Sequence, residues 1–114
     1  MKRLAFLLPA LAVLAPVAQA KPGCIGRHVV AYDRLARLPA GARATLGVMA
    51  ERGGRWEPGD ALGPGPQRPS RRFISARQSG CTLAVRYEQG GIAHYERTAI
   101  LTLRGTRWVP VSNR

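Results

Sequence analysis

The chain has 114 residues, 46% of them hydrophobic, and carries 18 lysines and arginines against 6 acidic residues for a formal net charge of +12. That length accommodates one small domain, which buries only somewhat more than ~60% of its unfolded surface and is marginally stable. The charge disfavours a basic partner and implies attraction to polyanions such as anionic lipid headgroups, cell-wall polymers, nucleic acid or an acidic protein.

Residues 1–20 read as a cleavable export signal. Lys2 and Arg3 form a positive start, an apolar run extends from Leu4 to Ala18, and Ala18-Gln19-Ala20 is a small-x-small cleavage site, so the mature chain is expected at residues 21–114. The competing reading is a membrane anchor. A span needs about 20 apolar residues, whereas this run is shorter and is interrupted by Pro9 and Pro16. The protein is therefore expected to be exported, to the periplasm or beyond the cell, with no transmembrane segment after cleavage. Losing Lys2 and Arg3 leaves 16 basic residues against 6 acidic ones, net +10, with Lys21 the one remaining lysine.

Only Cys24 and Cys81 are present. In an oxidising compartment an even pair in a small domain is read as a disulfide. A reactive thiol or metal site would need partners at ligand spacing, and neither a CxxC nor a paired histidine supplies them. No metal and no cofactor is expected.

Between the cysteines, residues 28–38 are ambiguous: Ala31, Leu35 and Leu38 suit a helix face, whereas Val29-Val30-Ala31-Tyr32 has β-branched character. Leu38-Pro39 followed by Ala42, Leu46, Met49 and Ala50 predicts a helix that Gly53-Gly54 would stop. Residues 59–70 are rich in glycine and proline and predict a loop. Asp60, within it, suits a turn cap or a cation ligand.

The C-terminal half predicts strands. Cys81, Leu83, Val85 and Tyr87 alternate with polar residues, and Ala93, Tyr95, Ala99, Leu101 and Leu103 do the same. Matching apolar faces argues for a three-residue loop at Gln89-Gly90-Gly91, with Tyr87 opposite Ala93 and Val85 opposite Tyr95. A turn at Ser79-Gly80 would add a strand over residues 72–78, with Ile74 opposite Val85 and Ala76 opposite Leu83. A turn at Gly105-Thr106 leads into a last strand over residues 107–112, an edge strand because Pro110 cannot donate to a ladder. The expected class is α+β: one or two N-terminal helices packed on a four-stranded antiparallel β-meander, closed by one disulfide. The pattern RGxRWxP occurs at residues 52–58 and 104–110, and reads as a recurrent turn ahead of a core tryptophan rather than as a duplication.

Two constellations could carry function. On the expected polar face, His94 with Glu88, Glu96 and Arg86 could act as a general base, an orienting carboxylate and an anion stabiliser. The same four residues equally form an exposed ladder of cross-strand charge pairs, the reading preferred here. The second constellation is Arg68, Arg71 and Arg72 beside Phe73, a candidate basic contact patch. Trp56 and Trp108, each next to an arginine, could be an aromatic platform, although burial suits Trp108 better. No serine has a GxSxG setting, no phosphate-cradling glycine run leads from strand to helix, and no specific nucleic-acid motif occurs. The expected function is a non-enzymatic binding module for an acidic protein or an anionic envelope polymer. A small hydrolase using His94 and a structural or assembly partner of the envelope are the alternatives.

Overall fold

The computed structural model describes residues 24–59 and 68–111. The export signal, Asp60 and most of the glycine- and proline-rich loop lie outside the described residues. The element order is β1 (Val29–Tyr32), a 3-10 turn (Leu35–Arg37), α1 (Ala40–Leu46), β2 (Arg71–Ser79), β3 (Thr82–Gln89), β4 (Tyr95–Arg104) and β5 (Arg107–Pro110). The strands form one antiparallel sheet in the order β1-β2-β3-β4-β5. The class is α+β as expected, but the sheet has five strands rather than four.

The additional strand is β1, and it resolves the ambiguity over residues 28–38. Val29-Val30 favour extended backbone, and the edge of β2 offers a partner, with Val30 opposite Gln78 and Tyr32 opposite Ala76. The pairing also buries a polar group. Gln78 is 1% exposed, and its amide accepts from the Tyr32 hydroxyl at 2.7 Å and donates to the Gly80 carbonyl at 3.2 Å. Both halves of the amide are thus satisfied, as burial requires.

The helix is shorter than its apolar pattern suggested. It stops at Gly47, whose φ of 77° suits glycine, and not at Gly53-Gly54. Met49 and Ala50 remain buried, but as extended chain: the Ala50 amide donates to the Arg71 carbonyl and its carbonyl accepts from Phe73. Arg71 completes the stop by donating to the Leu46 carbonyl at 2.6 Å and the Val48 carbonyl at 3.0 Å. A backbone bridge to β2 therefore replaced two further turns of helix.

Strand parity was legible in β3, β4 and β5, and register was not; in β2 a bulge puts Phe73 rather than Ile74 on the inward face, and Val85 pairs with Ala76 rather than Ile74. Across β3 and β4, Tyr87 faces Arg97 and Val85 faces Ala99, which corrects the pairings of Tyr87 with Ala93 and Val85 with Tyr95. The shift is four residues, an even number, so the inward face is the one expected. Its cause is tertiary. The Gly90 amide donates to the Ser70 carbonyl and the Gly91 amide to the Pro58 carbonyl, holding residues 90–94 as a longer loop. At Gly90 a Cβ would lie 2.5 Å from the Glu57 carbonyl oxygen. The β2–β3 turn is likewise Gly80-Cys81 rather than Ser79-Gly80: Ala76 faces Val85 and Gln78 faces Leu83, with a bulge between Phe73 and Ser75. The Gly105-Thr106 turn is as expected, with Arg104 opposite Arg107, and β5 with its Pro110 is an edge strand.

The core lies on one face of the sheet. Phe73, Ala76, Leu83, Val85, Leu101, Leu103 and Trp108 pack under Leu38, Ala42, Leu46 and Met49. The disulfide joins Cys24 to Cys81 in the β2–β3 turn, and the Ile25 amide beside it donates to the Gly80 carbonyl.

The 57-residue separation of the cysteines is worth about 4 kcal/mol in the chain-entropy account of cross-links. Replacing both by serine should lower unfolding stability by roughly that amount in a denaturant titration. An unchanged midpoint would show that the bridge contributes nothing to the fold. Gly90→Ala should cost about 1–3 kcal/mol by driving the β3–β4 loop off Glu57 and Pro58. The same titration measures it, with the ring-current shift of His94 against Trp56 as the local readout.

Candidate functional site

The residues expected to form a site on the polar sheet face come together, but around a different centre. His94 lies outside β4, in the β3–β4 loop, and Arg86 faces Thr98 rather than His94. Glu88 and Glu96 are direct cross-strand partners. Two carboxylates in that position repel, and each has a guanidinium: Arg72 Nε is 2.6 Å from Glu88 and Arg86 is 2.8 Å from Glu96. His94 Nε2 stands 3.6 Å from the other Glu88 oxygen, too long for a hydrogen bond.

Trp56 organises the cluster. The residue is 9% exposed, and its ring carries the Arg72 guanidinium at 4.7 Å from its centroid and meets the His94 ring edge-on at 5.2 Å. Arg72, not the adjacent Arg55, is the cation stacked on it. Trp108 is buried in the core beside Leu103, so the tryptophans are packing residues. Next to this cluster a cleft of about 290 Å³ opens between Arg52, Arg72, Ile74, Glu88 and Glu96.

The electrostatics of the cluster centre on Glu88. The Arg72 hydrogen bond holds the Glu88 carboxyl below the usual carboxylate range, against the opposing effect of burial, with the charges of Arg72 and His94 adding to it. A carboxyl held in this way suits an ion-pair partner or an orienting carboxylate, not a general acid, which needs a carboxyl raised toward neutrality. The arrangement can clamp the residue 54–58 segment and the β3–β4 loop onto the sheet.

The basic candidates divide in the same way. Arg68 is exposed. Arg71 is spent on two backbone carbonyls and on the Tyr87 ring, 5.7 Å from its centroid. Arg72 is spent on Glu88 and Trp56, and Phe73, 1% exposed, is core. Of the four, only Arg68 is available to a partner. The sequence reading also passed over Glu51, which serves the fold. Burial pushes its carboxyl up, but the amides of Leu35, Arg52 and Ala36 donate to it, and with the charge of Arg34 they hold it below the usual range.

The arginines left over are elsewhere. On the sheet face turned away from the core, Arg77 on β2, Arg104 on β4 and Arg107 on β5 are exposed, and no carboxylate pairs with them among the described residues. Between them lie small, hydroxyl and β-branched residues: Ser79, Thr82, Ala84, Ile100, Thr102 and Val109. Arg104 and Arg107 flank the turn located from sequence, so their juxtaposition could have been read from it. Among the described residues no group of three His, Cys, Asp or Glu side chains is placed to hold a metal, and no helix is long and apolar enough to cross a membrane.

No protein-family model matches the chain, and no curated protein or solved structure matches it either.

Because the folded Glu88 carboxyl is depressed, its contribution to stability is present above the unfolded value of about 4.3 and is lost as pH falls through the lower, folded value. Glu88→Gln should flatten the acid limb of the stability–pH profile below that pH, measured as the urea midpoint from neutral to acid conditions. A profile parallel to that of the unaltered protein would place the acid sensitivity elsewhere.

Proposed function

We propose that the protein is an exported, non-enzymatic binding module whose outer sheet face docks an acidic protein or an anionic envelope polymer. The observation that carries this reading is the disposition of charge on that face. Its carboxylates, Glu88 and Glu96, are neutralised by Arg72 and Arg86, while Arg77, Arg104 and Arg107 have no acidic partner among the described residues. The only described α-helix, α1, packs on the core side, and this face carries a band of small, hydroxyl and β-branched residues that are exposed or half-buried. A surface of that kind attracts a complementary charge and offers area for close contact. A second copy of the same chain is disfavoured as the partner, because two such faces repel. Export is supported by the disulfide, a bond that persists in oxidising compartments.

The hydrolase alternative receives less support. His94 stands 3.6 Å from Glu88, beyond hydrogen-bond reach, and Arg86 faces Thr98 rather than His94.

Binding of the oxidised protein to poly-L-glutamate should weaken steeply with sodium chloride, because exposed charges are screened over about 8 Å at physiological ionic strength. Replacing Arg77, Arg104 and Arg107 together by serine should weaken it roughly tenfold, as three exposed pairings of about 0.5 kcal/mol each would give. His94→Ala should leave it unchanged. Loss of binding on His94→Ala, with no effect of the arginine changes, overturns the proposal and moves attention to the cleft beside Glu88. Capture from the envelope fraction with the intact and triple-serine proteins would then identify the partner.

A further inference from the structure

Arg104 and Arg107 are direct cross-strand partners closing the Gly105-Thr106 turn, and both are exposed. Like charges placed opposite each other destabilise a hairpin. Elsewhere on this face the chain relieves its like-charge pair, Glu88 opposite Glu96, by supplying Arg72 and Arg86. Here no acid pairs with either arginine among the described residues. Register puts both side chains on the outer face: their inward neighbours in the hairpin, Leu103 and Trp108, are buried against the core. The exposed Thr106 in the turn and Thr102, two residues before Arg104 on the same face, add hydroxyl donors beside them.

We infer that the Arg104–Arg107 pair is a binding site for a phosphate dianion, either free or carried as a monoester on a lipid headgroup. The inference deepens the proposed docking role and rests on it, by naming the chemistry that one end of the face recognises. Two guanidiniums held on neighbouring strands present two planar forks and a charge of +2. A carboxylate has one negative charge and two oxygens, enough for one fork. A phosphate dianion matches both the charge and the number of donors, and removes the repulsion that the empty hairpin carries.

The test is thermal unfolding of the oxidised protein in inorganic phosphate at pH 7.5 against sodium chloride of equal ionic strength, for the intact protein, Arg107→Thr and Arg37→Ser, the last an exposed arginine of the 3-10 turn. Phosphate stabilises many proteins through exclusion from their surface, so the comparison between variants decides. The intact protein and Arg37→Ser should rise in Tm with phosphate by the same amount, and Arg107→Thr should lose most of that rise. In chloride alone Arg107→Thr should melt a few degrees higher than the intact protein, because the repulsion is gone. An equal phosphate response in the intact protein and Arg107→Thr overturns the inference. Vesicles distinguish the source. Retention on phosphatidic acid, but not on phosphatidylglycerol of equal surface charge, assigns the lipid monoester, and a phosphate response without vesicle retention assigns the free anion. Failure of this site is separable from failure of the docking role: Arg107→Thr with an unchanged phosphate response but weakened poly-L-glutamate binding sinks the site alone. Binding of poly-L-glutamate that is indifferent to all three arginines sinks the docking role.

Discussion

One apolar row, Phe73, Leu83, Val85 and Leu101, must be kept from water, and a chain of this length has little with which to cover it. The solution is single-sided. Leu38, the seven-residue helix with Ala42 and Leu46, and Met49 in the extended chain after it lie over that row, and among the described residues nothing comparable covers the other face. Two layers are the minimum that buries a sheet face. The exposure of the opposite face is therefore a consequence of core burial with too few residues, and every surface property follows from which side chains alternation sends there.

Charge is distributed by the same scarcity. The chain has 6 acids against 18 bases, so most arginines must go without an acidic partner. Those acids are used where the backbone needs them. Glu51 satisfies the amides that open the 3-10 turn, and Glu88 and Glu96 hold arginines at the end of the sheet where Trp56 and the β3–β4 loop fold over it. The end that carries the Gly105-Thr106 turn receives none of these ion pairs. Exposed arginines without an ion pair among the described residues also occur elsewhere, at Arg27, Arg37, Arg43 and Arg55; on the outer sheet face the ion pairs gather at one end and the unpaired guanidiniums at the other, and a local field is what steers a partner.

The arginines at 68, 71 and 72 illustrate why a charge cluster in sequence is weak evidence for a binding patch. Adjacent residues on a strand point to opposite faces, so Arg71 and Arg72 cannot present together. Arg71 turns to the helix end and Tyr87, Arg72 to Glu88 and Trp56, and Phe73 fills the core. Arg104 and Arg107, three residues apart, meet because a two-residue turn folds one back on the other. Proximity along the chain separated the first group, and a turn joined the second.

Alternation by itself determined which residues of β3, β4 and β5 face inward, because a period of two is a property of the strand backbone and survives any even shift of register. The pairing of Cys24 with Cys81 was also determined, since no other cysteine exists, as was the Gly105-Thr106 turn, whose residues suit a two-residue hairpin. What only the tertiary structure decided were the stopping points and the partners across space. Hydrogen bonds from Gly90 and Gly91 to Ser70 and Pro58 moved the β3–β4 register by four residues, and Ala50 left the helix to bridge β2. Those contacts join segments about 20 or more residues apart, which no local pattern encodes. The outer-face arginines belong to both levels: alternation assigned their side of the sheet, and the supply of carboxylates to the other end left them without a partner.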